Sequence, residues 1–173
     1  MTDFKGESVN NILSESKKIV YGISDISFIV KFLKQKLLTC KVFAFYGPLG
    51  AGKTTIIREL LRSCGVQGPI ASPTFTYMNY YTSFLENSLD PALNVANENL
   101  RNPKFYHFDL YRLNNLNDFF GAGFDEYLND TQGASFVEWP EIIESILPSG
   151  SCKVKIDYDS DIEKRVLSIE IID

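Results

Sequence analysis

The 173-residue chain is poor in the groups that many site chemistries need, with one histidine, one tryptophan, two methionines and three cysteines. Cys40, Cys64 and Cys152 lie far apart, form no Cys-x-x-Cys pair and have only His107 to join them. That arrangement argues against a zinc site and reads as three reduced, mostly buried thiols of a reducing compartment. No run approaches the ~20 apolar residues of a membrane span. The stretch from Met1 to Asn11 is polar and lacks the apolar core of a secretion signal. The chain therefore reads as cytoplasmic, with no membrane partner. Positive charge is not in excess. The net charge is −5, so the chain as a whole does not look like a nucleic-acid binder, although a local basic patch fits within that total.

Against these shortages, 45% of residues are hydrophobic and 23% charged, enough to build one compact domain over 1–173 with little left over. The stretch that organises it is Gly47-Pro48-Leu49-Gly50-Ala51-Gly52-Lys53-Thr54-Thr55, which fits G-x-x-x-x-G-K-[ST]. Before it runs Lys41-Val42-Phe43-Ala44-Phe45-Tyr46, an apolar stretch of strand length. After it, Thr55 to Arg62 carries apolar residues at helical spacing and ends near Gly65. Strand, glycine loop and helix together turn the pattern into a mechanism. Backbone N–H groups from Gly50 through Thr54 converge on phosphate oxygens, an approach that a Cβ at the glycines would obstruct. The opening of the helix adds free N–H donors and the positive end of its dipole. Lys53 reaches the β- and γ-phosphates, and the Thr54 hydroxyl can ligate Mg²⁺.

The rest of the chain supplies an α/β frame. Residues 1–16 carry little pattern and read as a loosely held start. Ile19 to Tyr21 reads as a short strand, and Ser24 as the N-cap of a helix carrying Ile26, Phe28, Ile29, Phe32, Leu33 and Leu37. Lys31, Lys34, Lys36 and Lys41 read as a solvated basic face. Pro69 and Ser72-Pro73 precede Thr74 to Tyr81, which reads as a strand. Residues 84–104 are an Asn-rich polar insertion, expected to be disordered or a surface lid, with one or two helical turns around Leu93 to Leu100. Phe105 to Asp109 and Ala134 to Glu138 read as strands ending on carboxylates, with helical turns between Leu116 and Leu128. Trp139 follows, and Pro140 suits the first position of a helix running to about Leu147. After the break at Pro148-Ser149-Gly150, Lys153 to Tyr158 and Arg165 to Ile172 alternate as an antiparallel hairpin. The expected fold is a P-loop NTPase-like mixed sheet flanked by helices, closed by that hairpin.

A phosphate loop needs carboxylates at neighbouring strand ends, because Mg²⁺ and an attacking group must be held beside the γ-phosphate. In open α/β sheets ligands sit at the carboxyl ends of the strands. Only Asp109 and Glu138 meet that requirement, and spacing leaves open which ligates metal and which positions water. Asp130-Thr131-Gln132-Gly133 has the form of an Asp-x-x-Gly switch but precedes a strand, so it reads as a turn. No Asn-Lys-x-Asp guanine motif occurs, which favours ATP over GTP. His107 reads either as a proton acceptor or as a hydrogen-bonding neighbour of Asp109.

With these pieces in place, the sequence resembles the TsaE (YjeE) family of bacterial ATPases for tRNA threonylcarbamoyladenosine formation. The residues that carry the resemblance are Gly50 to Thr55, Ser72-Pro73-Thr74-Phe75, His107-Phe108-Asp109-Leu110-Tyr111-Arg112-Leu113 and Glu138-Trp139-Pro140. Their order and spacing match from about residue 20 to 172. The resemblance implies a small ATPase with Mg²⁺ at Thr54 and Glu138, Asp109 important for hydrolysis, and Ser72 to Phe75 as a switch-like loop. It further implies a hydroxyl near the nucleotide from the N-terminal helix, where Ser27 stands in place of the family's usual Thr, and Arg165 near the nucleotide from the hairpin. Pro48 replaces the Asp common in the family's glycine loop, and the 84–104 insertion is longer than usual. By the same resemblance, the partners are subunits of the threonylcarbamoyl transferase complex, with tRNA reached indirectly through it.

Two other function classes share the phosphate loop. A small-molecule kinase would carry an Arg-rich lid, yet residues 84–104 hold only Arg101 as an arginine. A nucleotide-dependent binding module would hydrolyse ATP negligibly even with partners. ATP turnover with and without candidate acceptors separates the kinase from the ATPase.

Overall fold

The structure, a computed structural model, describes residues 18–83 and 103–173. The start at 1–16 and all of the polar insertion except residues 103 and 104 lie outside the described residues. Among the described residues, no helix is long and apolar enough to cross a membrane.

Among the described residues, seven strands form one mixed sheet: β1 (Ile19–Tyr21), β2 (Val42–Tyr46), β3 (Met78–Thr82), β4 (Lys104–Asp109), β5 (Gly133–Glu138), β6 (Cys152–Tyr158) and β7 (Arg165–Ile171). Their order across the sheet is β1-β7-β6-β2-β5-β4-β3. β2 lies parallel to both β5 and β6, and β4 parallel to β5. The edges are antiparallel, with β3 on β4 at one side and β6-β7-β1 at the other. Every residue of β2 and of β5 is buried, as expected of parallel strands covered on both faces.

Side-chain alternation divides the interior into two clusters. Phe43, Phe45, Phe105 and Phe136 point to the face covered by helices α1 (Ile26–Lys36) and α2 (Lys53–Ser63), where they meet Ile29, Leu33, Ile56, Ile57 and Leu60. Val42, Tyr106, Phe108 and Val137 point to the other face, against Phe119 and Phe124 of helices α3 (Leu116–Gly121) and α4 (Phe124–Leu128) and Ile143 of a 3₁₀ segment (Pro140–Ile146). The same period of two puts His107 and Asp109 of β4 and Glu138 of β5 on the α2 face. β4 and β5 end in register, Asp109 opposite Glu138.

Several local expectations shift. Ser24 is not the cap of α1. It sits in a 3₁₀ turn (Ile23–Asp25), and the cap position falls to Asp25, whose Oδ2 accepts from the Gly22 N–H at 2.8 Å. Residues 74–77 are not strand. The Thr76 and Tyr77 N–H groups both donate to the Pro73 carbonyl, and Tyr77 has φ 62, so the chain turns before β3 begins at Met78. The helix after Pro140 is 3₁₀. Within the basic face, Lys34 is tied down, its ammonium donating to the Ser63 carbonyl at 2.8 Å. All three cysteines are free and buried. Contact with Cys152 draws the Cys40 thiol below the ordinary cysteine value, while that contact and burial push Cys152 up.

The glycine loop leaves β2 hard against β6. Gly47 has φ +141, and a Cβ built there would lie 2.1 Å from the Ile156 carbonyl oxygen. Gly52, which caps α2 at φ 103, faces open space. Gly52→Ala therefore carries backbone strain alone, about 1–2 kcal/mol, whereas Gly47→Ala adds a backbone collision and is expected to cost about 3 kcal/mol or more. Urea denaturation of both variants measures the difference, and equal losses would contradict the close packing of Gly47 on β6.

Burial also sets an alkaline limit. Desolvation raises Tyr21 to about 12, against a smaller opposing pull from Arg165. Between about pH 10 and 12 the unfolded chain releases a proton that the folded chain retains, so stability falls as pH rises through that window. Tyr21→Phe is expected to remove roughly 2–3 kcal/mol of that loss. Tyr46 and Tyr106, shifted the same way, retain their share. Denaturation midpoints of the chain and the variant at pH 9 and pH 11.5 test this, and parallel declines would rule it out.

Candidate active site

The site is built where β2, β4 and β5 end on the face carrying α2. α2 begins at Lys53 directly after Gly52, so its first turn presents backbone donors over those strand ends. Within the loop the Ala51 N–H is used internally, on the Pro48 carbonyl at 3.2 Å. The N–H groups of Gly50, Gly52, Lys53 and Thr54 have no backbone acceptor among the described residues. Of the five N–H groups expected to serve phosphate, only that of Ala51 is taken up by a backbone carbonyl among the described residues. Thr55 follows, half-buried, in the first turn of α2.

Lys53 is 4% exposed. Its ammonium donates to the carbonyls of Gly47 at 2.6 Å and Pro48 at 3.0 Å, and it lies 3.7 Å from the centre of the Trp139 ring. Burial pulls its pKa below the ordinary lysine value, while Glu138, Glu141 and Asp109 act in the opposite direction. Trp139 forms a wall of the site. Its φ is 58, a left-handed conformation that a bulky residue adopts only under tertiary constraint, and its ring packs on Tyr111 at 4.9 Å.

The two carboxylates take different partners. Glu138, 3% exposed, accepts from the Thr54 hydroxyl on Oε1 at 2.8 Å and Oε2 at 2.9 Å. His107 Nε2 lies 2.8 Å from Glu138 Oε1. A carboxylate oxygen can only accept, so Nε2 carries the proton and donates. His107 Nδ1 is buried with no hydrogen-bond partner among the described residues. The histidine thus serves Glu138, across the strand pair, and not Asp109. Asp109 Oδ2 accepts from the Ser72 hydroxyl at 2.9 Å and the Thr74 hydroxyl at 2.5 Å, and Oδ1 accepts from the Tyr111 N–H at 3.2 Å. The loop Ser72 to Phe75 is therefore latched to the end of β4. Its tip, Phe75, is 82% exposed and carries the Arg112 guanidinium over its ring at 4.7 Å.

The two other residues expected near the nucleotide lie on flanking elements. Ser27 is exposed in the first turn of α1. Arg165 opens β7 and lies 4.8 Å over the Tyr158 ring, and the Tyr158 hydroxyl in turn donates to the Leu49 carbonyl at 2.6 Å. Asp130 sits in a turn and accepts from the Tyr106 hydroxyl at 2.6 Å, away from the loop. Sequence reasoning missed Ser72 and Thr74 as ligands of Asp109, and Tyr158 altogether. The hydroxyl-rich Ser-Pro-Thr run was the one available signal.

Chemically, the site combines N–H donors without backbone acceptors, one buried ammonium, a hydroxyl paired with a carboxylate, and a second carboxylate latched to the Ser72–Phe75 loop. That set suits an anion with an oxygen-liganded cation beside it. The Glu138–His107 contact is testable by stability. His107→Leu strips a donor from a buried carboxylate and is expected to cost about 3 kcal/mol, part of it recovered by Glu138→Gln in the same background. Chemical denaturation of both single variants and the double variant measures the coupling. Effects that simply add would argue against the contact.

Comparison with known proteins places this geometry. Residues 23–167 match the family model described as threonylcarbamoyl adenosine biosynthesis protein TsaE. The chain is similar to the tRNA threonylcarbamoyladenosine biosynthesis protein TsaE of Haemophilus influenzae, 37% identical over 128 residues, covering 73% of this chain and 70% of that protein. The protein of the same description from Rickettsia felis is 32% identical over 142 residues, 82% of this chain and 71% of that one. In fold it resembles the crystal structure of YdiB from Bacillus subtilis, with a TM-score of 0.55 at 22% identity, covering 91% of this chain and 88% of that one. The family model spans the glycine loop, the Ser72–Phe75 loop and both carboxylates, and on that match the chain belongs to the TsaE family.

Proposed function

We propose that the chain is a Mg²⁺-dependent ATPase acting in tRNA threonylcarbamoyladenosine biosynthesis, as an accessory whose hydrolysis supports turnover of the threonylcarbamoyl transferase complex. The observation that carries this reading is the meeting of Lys53, Thr54, Glu138 and Asp109 at the ends of β2, β4 and β5, on the face where α2 presents its free N–H donors. The absence of an Asn-Lys-x-Asp motif favours ATP over GTP.

The donor set fits Mg²⁺. Thr54 and Glu138 offer adjoining hard oxygens, and Mg²⁺ is usually held by one or two such groups, with phosphate oxygens and waters completing its shell. When bound there, the ion would neutralise charge on the transferring phosphoryl group. The chain's own residues do the rest. The N–H groups of Gly50, Gly52, Lys53 and Thr54 bind phosphate oxygens, and Lys53 exchanges the Gly47 and Pro48 carbonyls for phosphate. Glu138, oriented by His107, would hold the metal with Thr54. Asp109 orients the attacking water and couples it to the loop Ser72 to Phe75. Trp139 and Tyr111 exclude bulk water from the Lys53 side. Ser27 offers a hydroxyl to the nucleotide from α1.

An arginine supplied to the transition state is worth roughly 10³–10⁵ in rate. Arg112 is stacked on Phe75, outside the Lys53–Glu138 cluster, so the chain alone is expected to turn over slowly. A subunit of the transferase complex docking on the exposed Phe75 loop would complete the site, with tRNA engaged through that complex.

Phosphate release and nucleotide titration test the whole reading. Lys53→Ala and Thr54→Ala are expected to lose Mg-ATP binding with circular dichroism unchanged. Glu138→Ala should lose the Mg²⁺ dependence of binding, while Asp109→Ala keeps ATP and loses turnover by about 10²-fold. Reconstituted transferase subunits with tRNA should raise turnover of the parent chain. Fast hydrolysis indifferent to those subunits would defeat the accessory role, and phosphate transfer to a metabolite would make the chain a kinase.

A further inference from the structure

One contact on the glycine loop comes from the far end of the sequence. Tyr158, the last residue of β6, donates its hydroxyl to the Leu49 carbonyl at 2.6 Å. Leu49 and Gly50 share a peptide unit. In a trans peptide the C=O and the N–H lie in one plane and point in opposite directions. A carbonyl pinned outward to Tyr158 therefore turns the Gly50 N–H the other way, into the loop. That N–H has no backbone acceptor among the described residues, so it is available to a ligand. Gly50 itself has φ +78, and a Cβ there would sit 3.2 Å from the Tyr158 hydroxyl oxygen.

We propose that Tyr158 is a positioning residue for phosphate binding, and that Arg165 acts by holding the Tyr158 ring. The inference rests on reading the glycine loop as a phosphate cradle, and it names how one of the loop's donors is aimed. Leu49 is 71% exposed at the loop apex, without packing of its own to fix the peptide's orientation. The anchor must therefore come from outside the loop. Tyr158 pairs with Arg165 across the β6–β7 ladder, which sets the guanidinium over the ring at 4.8 Å. Arg165 is itself held, donating to the carbonyls of Ile162 at 2.9 Å and Lys164 at 2.7 Å. This gives Arg165 an influence on the site without contact to a ligand. The hairpin works as a strut, seated on β2 through Gly47 and Ile156 at its base and reaching the loop apex at its end.

The test measures binding of ATP and of inorganic tripolyphosphate, the latter by competition against a fluorescent ATP analogue, alongside thermal unfolding. Tyr158→Phe removes only the hydroxyl, and the exposed Leu49 carbonyl can turn to water. Its melting temperature is therefore expected to stay within about 3 °C of the parent, while affinity for both ligands falls by about five- to tenfold, the worth of one aimed hydrogen bond. Arg165→Ala should show a smaller loss of the same kind, and Arg165→Lys, which keeps a cation over the ring, should recover most of it. A purely structural role would move melting temperature and affinity together. If the parent chain binds neither ATP nor tripolyphosphate, the phosphate-loop reading fails. If the parent binds and Tyr158→Phe matches it within about twofold, the positioning role alone fails. A loss of affinity accompanied by melting more than about 8 °C lower would assign Tyr158 to the fold instead.

Discussion

A buried carboxylate governs the layout of this protein. Glu138 is 3% exposed at the end of a fully buried strand, where an unpartnered charge would be costly. It is kept there by the Thr54 hydroxyl on both oxygens and by His107 on one. Each donor comes from a different element: Thr54 from the first turn of α2, His107 from the middle of β4. The three contacts therefore fix the angle of α2 over the sheet and the alternation of β4 against β5 at once. A slip of one residue in β4 would turn His107 to the opposite face and bring Tyr106 or Phe108 beneath α2. The register is thus tied to the chemistry of the site as well as to the two apolar clusters.

How much of this could be read from the chain follows the range of each interaction. The glycine loop, the strand before it and the helix after it are set by neighbours in sequence, and they stand where periodicity put them. So do β4, β5 and the closing hairpin, whose apolar alternation is local and whose carboxylates mark strand ends. The errors were also local, but of a subtler kind. Ser24 has the right chemistry for a cap, yet the 3₁₀ turn places Asp25 there. Thr74 to Tyr77 has β-rich composition, yet Pro73 offers its carbonyl to two following N–H groups and the chain turns first. What stayed hidden were side-chain contacts across the sheet. His107 stands two residues from Asp109 in sequence, but a period of two puts both on one face and lets register choose the partner, which is Glu138. Ser72 and Thr74 reach Asp109 across 37 and 35 residues, and Tyr158 reaches Leu49 across 109. No spacing rule carries such information.

Among the described residues, the two non-glycine residues with positive φ, Tyr77 and Trp139, both adjoin a site carboxylate. The Tyr77 carbonyl accepts from the Asp109 N–H at 3.0 Å, and Trp139 directly follows Glu138 while its own N–H donates to the Phe45 carbonyl at 3.3 Å. Such conformations cost of order 1–3 kcal/mol each and persist where surrounding structure over-determines them. Here the surrounding structure is the site itself. The turn at Tyr77 brings the Ser72–Phe75 loop back over Asp109, and the turn at Trp139 swings an aromatic face onto Lys53. One strained position turns the chain just before β3 and the other just after β5, each beside a site carboxylate.

The partners of the four central groups bear on what binding can yield. Lys53 is satisfied by two carbonyls and an aromatic face, Thr54 by Glu138, Glu138 by Thr54 and His107, and Asp109 by two hydroxyls and one N–H. A ligand that engages Lys53 and Thr54 must replace those bonds, so its net gain is a difference between comparable interactions. The backbone donors of Gly50, Gly52, Lys53 and Thr54 have no such bonds to give up. On the proposed phosphate reading, affinity resides mainly in the loop's backbone, and discrimination between ligand states in the side chains that must change partners. The Asp109 latch extends that logic to the surface. A group that draws Asp109 toward the site competes with Ser72 and Thr74, and releasing them frees the loop that carries Phe75. Chemistry at the strand ends and the exposure of that loop are thereby linked through one carboxylate.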